Sequence, residues 1–341
     1  IVGYNDMQTL ILKNAKVTAK GTEAGIAKLA AFITEGCKFQ LPTNAKFDKT
    51  KHAVVNSNGD VAKAVMIVPI IELYIAGTQV TEANRNDLSE IAGVTVASGG
   101  EFKYDPGAKM LTMMDVKVQV GNAKNAIYNK GIEGLKIVVS GKNSLEATNY
   151  ASLAIQVSTF IEGSGNLEVT NSSNAGILVN ETTLTISDIT LEASGESCIA
   201  GWDGTKEKLI LKNAKVTAKG SAKGISAFAS FTTEGCEIVE PANGKFDEEK
   251  HAVVDAEGNV AKEVKIAPIE KYELYIAGTQ VTADNCNNLK DIKGVTVAPD
   301  GEFKYDPGAK TLTMKDVIVS VSSNNVAIYN EIEGLTIALS G

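Results

Sequence analysis

The chain has 341 residues, of which 22% are charged, and a formal net charge of −8 at pH 7. This acidic balance argues against nucleic acid and against anionic membrane surfaces as partners. No apolar run approaches the length of a membrane-spanning helix, so no direct membrane span is expected in this stretch of sequence. Abundant Thr, Val and Ile, with seven prolines and few aromatic residues, favour a β-rich folded protein over a disordered one.

The sequence repeats itself over long distances. Three segments of ten to twelve residues each occur twice without a change. They are LILKNAKVTAKG at 10–21 and 209–220, ELYIAGTQVT at 72–81 and 273–282, and GEFKYDPGAK at 100–109 and 301–310. The copies lie 199 to 201 residues apart, so one unit holds about 200 residues. An array of such units more often builds a stalk or a binding surface than a catalytic cleft.

The repeat divides the sequence into three parts. We expect residues 1–69 to be the C-terminal half of one unit, ending in a hairpin cap. Residues 70–268 would then be a complete unit, and residues 269–341 the N-terminal half of a following unit. On this interpretation the sequence is a window on a tandem array, so other copies of the unit are among its expected partners.

A ten-residue pattern recurs within each unit, with apolar residues at positions 1, 3, 6, 8 and 10 and Asp or Asn at position 5. Its clearest copies start at residues 111, 184, 209 and 312. Looser copies start at Leu135, Phe160 and Phe231. Each copy reads as two short strands joined by a two-residue corner. In the copy that starts at residue 184 we therefore expect Leu184, Ile186, Ile189 and Leu191 to be buried, with Thr185, Thr190 and Glu192 outside. Asp and Asn suit such a corner because they tolerate left-handed backbone.

A second, shorter apolar run follows each copy, and Gly, Asn, Ser and Lys fill the gaps. One coil of chain would therefore hold three short strands in about two dozen residues, and each strand would stack on its counterpart in the next coil. The sequence predicts an all-β fold, a right-handed parallel β-helix (solenoid) of about 24 residues per coil. Amphipathic helices are the competing interpretation, but the apolar spacing is not helical.

Other segments interrupt the coil pattern once per unit, and we predict that they are caps. They comprise a hairpin turning at AEGN (256–259), the strand ELYIAGTQVT, a short polar helix over 283–292 with Thr282 as its N-cap, and a hairpin turning at 306–308. A solenoid needs hairpin and short-helix caps between units because its open ends expose unpaired strand edges.

These motifs resemble a family of tandem, secreted right-handed β-helix proteins on the surface of Gram-negative gut bacteria. The likeness is carried by ELYIAGTQVT…YDPGAKTLTM, by the LTI-x-D/N turns and by KFD-x-x-KHAVVD-x-x-GNV, and it spans essentially the whole chain. The resemblance implies export to the cell surface or the extracellular space and a role in adhesion or glycan binding. It supplies no catalytic residues.

The cysteines and histidines give no metal or cofactor signal. No CxxC pair is present, and His52 and His251 each stand alone in their unit. Cys37 and Cys236 fall on apolar position 6, so we expect them to be buried, reduced and unpaired. Cys286 lies in the predicted cap helix, where we expect it to react readily.

An enzymatic function is a distant alternative, because right-handed β-helices include polysaccharide lyases and hydrolases. The lyases need a basic residue to abstract a proton, and the only arginine, Arg85, lies in a cap. The hydrolases need acids clustered on neighbouring coils, whereas Asp115 and Asp188 stand at corners two or more coils apart. No catalytic residue is predicted.

One aromatic turn is the candidate ligand site. Trp202, the only tryptophan, is followed by Asp203 and Lys206, and Tyr4 with Asn5 is a weaker copy of the same turn. A ring beside polar groups suits the stacking of a sugar, although the ring could instead cover the apolar side of a corner.

The sequence therefore favours a non-catalytic, adhesin-like repeat protein at the cell surface, with a glycan, a host surface or a neighbouring cell as its partner. A structural spacer that presents another domain is the alternative.

Overall fold

The computed structural model describes residues 1–121, 123–322 and 326–341. Its regular structure in these ranges consists of 33 strands and one three-residue 3-10 helix, Leu289–Asp291. The predicted all-β class is confirmed. No helix among the described residues is long and apolar enough to cross a membrane.

The first part of the chain contains seven strands. They are β1 Thr9–Lys13, β2 Val17–Lys20, β3 Ala31–Glu35, β4 Cys37–Leu41, β5 Lys46–Asp48, β6 Ala53–Val55 and β7 Ala64–Pro69. The next strands begin at the cap that follows Pro69. They are β8 Leu73–Ile75, β9 Thr78–Gln79, β10 Val94–Asp105, β11 Met110–Gln119, β12 Ile127–Asn129, β13 Leu135–Ser140, β14 Lys142–Ala147, β15 Leu153–Ile155, β16 Thr159–Gly163 and β17 Asn166–Asn171.

The strands continue in the same way to the end of the chain. They are β18 Ile177–Val179, β19 Thr183–Ser187, β20 Thr190–Gly201, β21 Lys208–Lys212, β22 Lys215–Ser226, β23 Ser230–Glu234, β24 Cys236–Glu240, β25 Lys245–Asp247, β26 Ala252–Val254 and β27 Glu263–Pro268. The last six are β28 Lys271–Ile276, β29 Thr279–Thr282, β30 Val295–Asp306, β31 Thr311–Val319, β32 Ile328–Asn330 and β33 Thr336–Ser340.

The strands stack as coils of a parallel β-solenoid. Strands β13, β16, β19, β21 and β23 form one ladder of parallel neighbours. Strands β14, β17, β20 and β22 form a second, and β12, β15, β18 and the end of β20 form a third. Paired residues on neighbouring coils are 22 to 27 positions apart in sequence. The predicted solenoid of three short strands per coil is confirmed.

The corners between strands are formed by the residues that the pattern predicts. Asp115, Asp188, Asn213 and Asp316 have φ between 46° and 59°, in the left-handed region that Asp and Asn tolerate. The carboxylate of Asp115 also accepts a hydrogen bond of 2.8 Å from the backbone N–H of Lys142 in the next coil. A corner side chain therefore ties one coil to the next.

The interior of the complete coils is apolar. Leu184, Ile186, Ile189 and Leu191 are all buried, as predicted. They belong to a cluster of buried residues from Ile71 to Ile266, which we call the inner core. Two further apolar clusters lie within residues 10–67 and 272–335. The division of the chain into units stays a prediction from the repeat.

The predicted outward side of strands β19 and β20 needs one correction. Thr190 is half-buried and Glu192 is exposed, but Thr185 is only 8% exposed. Thr185 points away from the inner core and lies between Phe160 and Ile210 on the two neighbouring coils. Its large neighbours cover it, so facing outward does not ensure exposure here.

The pattern start at Phe160 is wrong by one residue. Thr159, not Phe160, pairs with Leu184 and is buried, while Phe160 faces outward. The Thr159 hydroxyl can lie inside because it bonds the backbone oxygen of Val157 and the side-chain amide of Asn129, each at 2.9 Å. The start at Leu135 holds in the same register, since Leu135 pairs with Thr159 and is fully buried. The offset of two residues lies one coil earlier, where Leu111 pairs with Ile137.

The caps differ in detail from the prediction. ELYIAGTQVT is not one strand but a tight hairpin, β8 and β9, because Ala76 and Gly77 both have positive φ. The turn at 256–259 is present, yet only one bridge, between Val254 and Val260, joins its two sides. The chain then crosses over, and β27 pairs antiparallel with β22 and β24. The hairpin that turns at 306–308 is formed by β30 and β31 as predicted.

The predicted cap helix over 283–292 is wrong, and so is the exposure of its cysteine. After Thr282 the chain makes one hydrogen-bonded turn, with Cys286 N–H donating to Thr282 O at 2.9 Å, and then only the 3-10 helix. This turn points Cys286 inward, where it is 4% exposed and packs with Leu289 and Phe303. All four cysteines are buried and free, as predicted for Cys37 and Cys236.

Candidate functional site

A groove runs along the outside of the solenoid across four successive coils. Its floor consists of the outward-facing residues in the middle of the third ladder, namely Tyr128, Ala154, Leu178 and Ala200. Neighbouring strands are about 4.8 Å apart, so the four residues span about 14 Å along the solenoid axis. The groove has a volume of about 890 Å³.

Small side chains make the floor concave. Four alanines in the groove form an apolar cluster that is separate from the inner core, and the side chains of Tyr128 and Leu178 pack against it. The four are Ala151, Ala154, Ala175 and Ala200. Together with Tyr128 and Leu178 they form what we call the outer cluster. Because alanine alternates with larger residues along the floor, space remains between Tyr128 and Leu178 that a larger residue would fill.

Polar and aromatic residues form the two walls. On one wall, Gln156, Asn180 and Trp202 occupy equivalent positions on successive coils, since each directly follows the last paired residue of its strand. The other wall lies at the opposite strand ends, and its residues are Asn125, Asn149, Tyr150, Asn174, Glu196 and Ser197. Aromatic rings therefore stand on both walls as well as on the floor.

Some wall residues hold the walls together, and others are left available. The side-chain amide of Asn125 donates to Ala151 O at 2.6 Å, and that of Asn174 donates to Asn149 O at 2.9 Å. Within the described part of the chain, the Asn180 amide, the Tyr150 hydroxyl and the Trp202 indole N–H have no hydrogen-bond partner. These groups can bind a ligand without breaking a bond of the fold.

The turn that carries Trp202 is held by a buried carboxylate. Glu207 is fully buried and accepts hydrogen bonds from the backbone N–H groups of Glu181, Gly204 and Lys206 at 3.0 to 3.2 Å. Burial alone raises the pKa of Glu207, but these bonds, led by that from Glu181, outweigh it and lower the pKa below its ordinary value. Trp202, 64% exposed, is thus presented on a fixed turn.

Asp203 and Lys206 were predicted to share the site, but neither lines the groove. The Asp203 carboxylate accepts hydrogen bonds from the Thr205 hydroxyl at 2.6 Å and the Thr205 N–H at 2.9 Å, which lower the pKa of Asp203. The Lys206 ammonium pairs with Glu181 at 2.7 Å. Both side chains therefore close and flank the turn, and a direct part in binding stays a prediction.

The weaker copy, Tyr4 and Asn5, has the same turn without a groove. Tyr4 N–H donates to the side-chain oxygen of Gln8 at 2.9 Å, so Gln8 takes the place of Glu207. The Asn5 side chain accepts a 2.8 Å hydrogen bond from Gln8. Tyr4 is 91% exposed and lines none of the described grooves.

The groove continues beyond Tyr128 onto the cap. The rings of Tyr74 and Tyr128 stack with centroids 5.8 Å apart, and an adjoining pocket shares Tyr128 and Asn125 with the groove. The same tyrosine pair recurs in the next copy as Tyr275 and Tyr329, also at 5.8 Å. The start of this surface is therefore part of the repeat.

Sequence reasoning found Trp202 but missed the rest of the groove. A signal was present in the short apolar runs, because LAIQV at 153–157 and CIAG at 198–201 are apolar at consecutive positions. Neighbouring residues of a strand face opposite sides, so such a run predicts apolar residues on both faces. Ala154 and Ala200 are the outer members of these two runs.

No metal centre is formed by the residues that the structure describes, since no three or more His, Cys, Asp or Glu side chains cluster closely enough to hold an ion. The imidazole Nδ1 atoms of His52 and His251 instead lie 3.0 and 3.1 Å from the backbone oxygens of Leu29 and Phe228. Both histidines are half-buried in their caps.

Comparison with known proteins returns no match to a protein-family model, to a curated protein or to a solved structure. The likeness to bacterial surface proteins therefore rests on the sequence motifs alone.

Proposed function

We propose that this chain belongs to a non-catalytic, adhesin-like surface protein that binds glycans through the groove beside Trp202. The observation that carries the proposal is the groove itself, in which three aromatic residues and unpartnered polar groups line four coils. A sugar has an apolar face and a rim of hydroxyls, which suit ring stacking and amide hydrogen bonds. Export and display at the cell surface are part of the same proposal, through the resemblance of the motifs.

Binding is favoured over glycan hydrolysis by the carboxylates of the groove. Hydrolases of the common kind use two carboxyl groups placed on either side of the scissile bond. Among the described residues that line the groove, Glu196 is the one carboxylate. The amides around it can hold a sugar but cannot serve as a second general acid or base.

A spacer remains the second candidate, and a different face of the solenoid favours it. Exposed lysine–glutamate pairs join neighbouring coils there, such as Lys136 with Glu162 at 3.3 Å and Lys212 with Glu234 at 2.8 Å. Such pairs add little stability each, but they give a uniform, well-solvated surface. An array with only such surfaces would extend another domain outward.

The test is a glycan array probed with the whole chain, followed by equilibrium binding of variants. We expect Trp202→Ala and Tyr150→Ala to weaken binding by about tenfold each, because an aromatic contact is worth on the order of 1 kcal/mol or more. Tyr4→Ala is the matched control, since Tyr4 occupies the same kind of turn without a groove. If no glycan on the array binds the parent chain, the spacer is the better interpretation.

A further inference from the structure

The shape of the groove suits a ligand that lies along the solenoid axis. The floor residues Tyr128, Ala154, Leu178 and Ala200 follow one another from coil to coil, and Tyr74 on the cap hairpin pairs with Tyr128. The floor therefore extends over four strand spacings, or about 19 Å. An aromatic ring stands near each end, the Tyr74–Tyr128 stack at one and Trp202 at the other.

The groove is negatively charged at the end where Trp202 stands, because Glu196 lies on the same coil as Ala200 and Trp202. Glu196 is exposed in the wall, and no lysine or arginine among the described residues lies within ion-pair distance of its carboxylate. Lys223 on the next coil is opposite Ser197 in the register, yet it does not pair with Glu196. The other polar residues of the walls are neutral, and the chain as a whole carries a net charge of −8.

The lysines near the opposite end, at Tyr128, lie outside the groove. Lys124 and Lys130 belong to the adjoining pocket beyond Tyr128. Lys130 is paired with Glu72 at 3.2 Å, and the aliphatic part of Lys124 lies over Gly77. Among the described residues that line the groove, Glu196 is therefore the one charged side chain, and it would repel a ligand carboxylate placed beside it.

We propose, on the basis of the glycan-binding function above, that the groove selects uncharged, linear glycan chains that lie along the solenoid axis. Glu196 is the residue that disfavours chains of uronic acids. In the complex its carboxylate accepts hydrogen bonds from sugar hydroxyls, which donate well to an ionised acceptor.

The charge preference is tested with two series of probes of matched length. One series contains neutral gluco-, manno- and xylo-oligosaccharides, and the other contains oligomers of galacturonic acid. For the best neutral sugar we expect at least tenfold tighter binding than for the acidic oligomer of equal length. The Glu196→Gln variant should bind the acidic oligomer at least fivefold more tightly than the parent chain does. Its affinity for the neutral chain should change by less.

The axial orientation is tested by removing an aromatic ring at each end. If the glycan lies along the axis, Trp202→Ala and Tyr74→Ala should both weaken the binding of a long oligosaccharide. Only one of the two should weaken the binding of a disaccharide. Tyr275→Ala is the matched control, because Tyr275 pairs with Tyr329 in the other copy at the same centroid distance of 5.8 Å, although those rings are tilted by 53°. Thermal unfolding of each variant separates a lost contact from a lost fold.

The outcomes separate the two proposals. Binding of the acidic series as tight as that of the neutral series overturns the charge preference and leaves glycan binding standing. The axial orientation is overturned if affinity does not rise with the length of the ligand chain. It is also overturned if only one of the two end variants weakens binding at every ligand length. Absence of binding by either series overturns the glycan-binding function itself.

Discussion

The inner core and the outer cluster are two apolar regions of the same coils. The inner core fills the interior of the solenoid, whereas the outer cluster lines an open groove. Inside the solenoid, large residues such as Leu184 and Ile186 stack on large residues of the next coil and leave no exposed surface. On the outside, Ala154 and Ala200 alternate with Tyr128 and Leu178. One ladder geometry therefore gives a filled core or an open groove, depending on whether small residues interrupt the stack.

The largest effect is expected where the inner core is broken. Ile186→Asp places a charge among fully buried residues and gives up the roughly 1.5–3 kcal/mol that burial of the isoleucine contributes, in addition to the cost of the charge. We expect the surrounding coils to lose cooperative unfolding in urea or on heating. Thr185→Asp, on the outward side, should cost less. A parent-like melt for Ile186→Asp together with a collapse of Thr185→Asp would reverse the assignment of the two faces.

A smaller loss is expected at the turn beside the outer cluster. Glu207→Ala leaves backbone N–H groups without their acceptor, at a cost of about 1–3 kcal/mol for a buried unsatisfied donor. Because Trp202 is the only tryptophan, its fluorescence reports on this turn alone. We expect a changed emission spectrum and a lower melting temperature. Gln8→Ala at the matching turn is the control and should leave the spectrum as it is.

Acid should loosen the same turn to a lesser extent. The pKa of Glu207 in the fold is below its ordinary value of 4.5, so the ionised carboxylate contributes stability above about that pH. This contribution is lost as the pH falls through the lower folded value. Trp202 emission should therefore be constant from neutral pH down to about 4.5 and change only below it. A transition of the turn near pH 6–7 would show that another group controls it.

Filling the outer cluster should affect binding and not stability. Ala154→Leu projects a larger side chain between Tyr128 and Leu178, into solvent-filled space and not into the inner core. We expect a melting temperature close to that of the parent chain and at least a tenfold loss of glycan affinity. Ala154→Ser keeps the volume and should keep the affinity. A strong loss of stability in Ala154→Leu would mean that the groove is too tightly packed to hold a ligand.

The smallest effect is expected in alkylation of the thiols, which reports only on buried positions. All four cysteines are buried, and burial raises the pKa of Cys198 to about 12. None should react with an alkylating reagent in the folded chain, and all four should react after denaturation. Cys198 is followed in the same strand by Ala200 of the outer cluster. Fast labelling of Cys198 in the native state would show that this strand opens readily.

Much of the solenoid could be predicted from sequence because its signal is local and repeated. The corner residues Asp188 and Asn213 need left-handed backbone, and the alternating apolar residues around them assign one face to the core. The predicted start at Phe160 was wrong because a pattern built on apolar residues does not place a threonine such as Thr159 inside. That role depends on a hydrogen bond to Asn129, 30 residues away in sequence.

The groove was harder to predict because it depends on neighbours from different coils. Trp202 stood out as a lone aromatic residue, but its value as a site depends on alanines of two other coils as well as of its own. Tyr4 occupies the equivalent position in the repeat and has no such floor. Cys286 failed for a related reason, since one hydrogen-bonded turn after Thr282 decides whether the thiol faces the cap interior.

The parallel ladders have a mechanical consequence. Their hydrogen bonds join coil to coil and therefore run along the long axis, so a pull on the two ends of the chain loads them in sequence and not all together. We expect coils to peel away one after another at low force. Each would release about 25 residues, which span about 85 Å when extended. A force–extension record of the chain should show steps of that length, and a single all-or-none rupture would contradict it. Such a protein would act as a yielding tether that lengthens under load before it breaks.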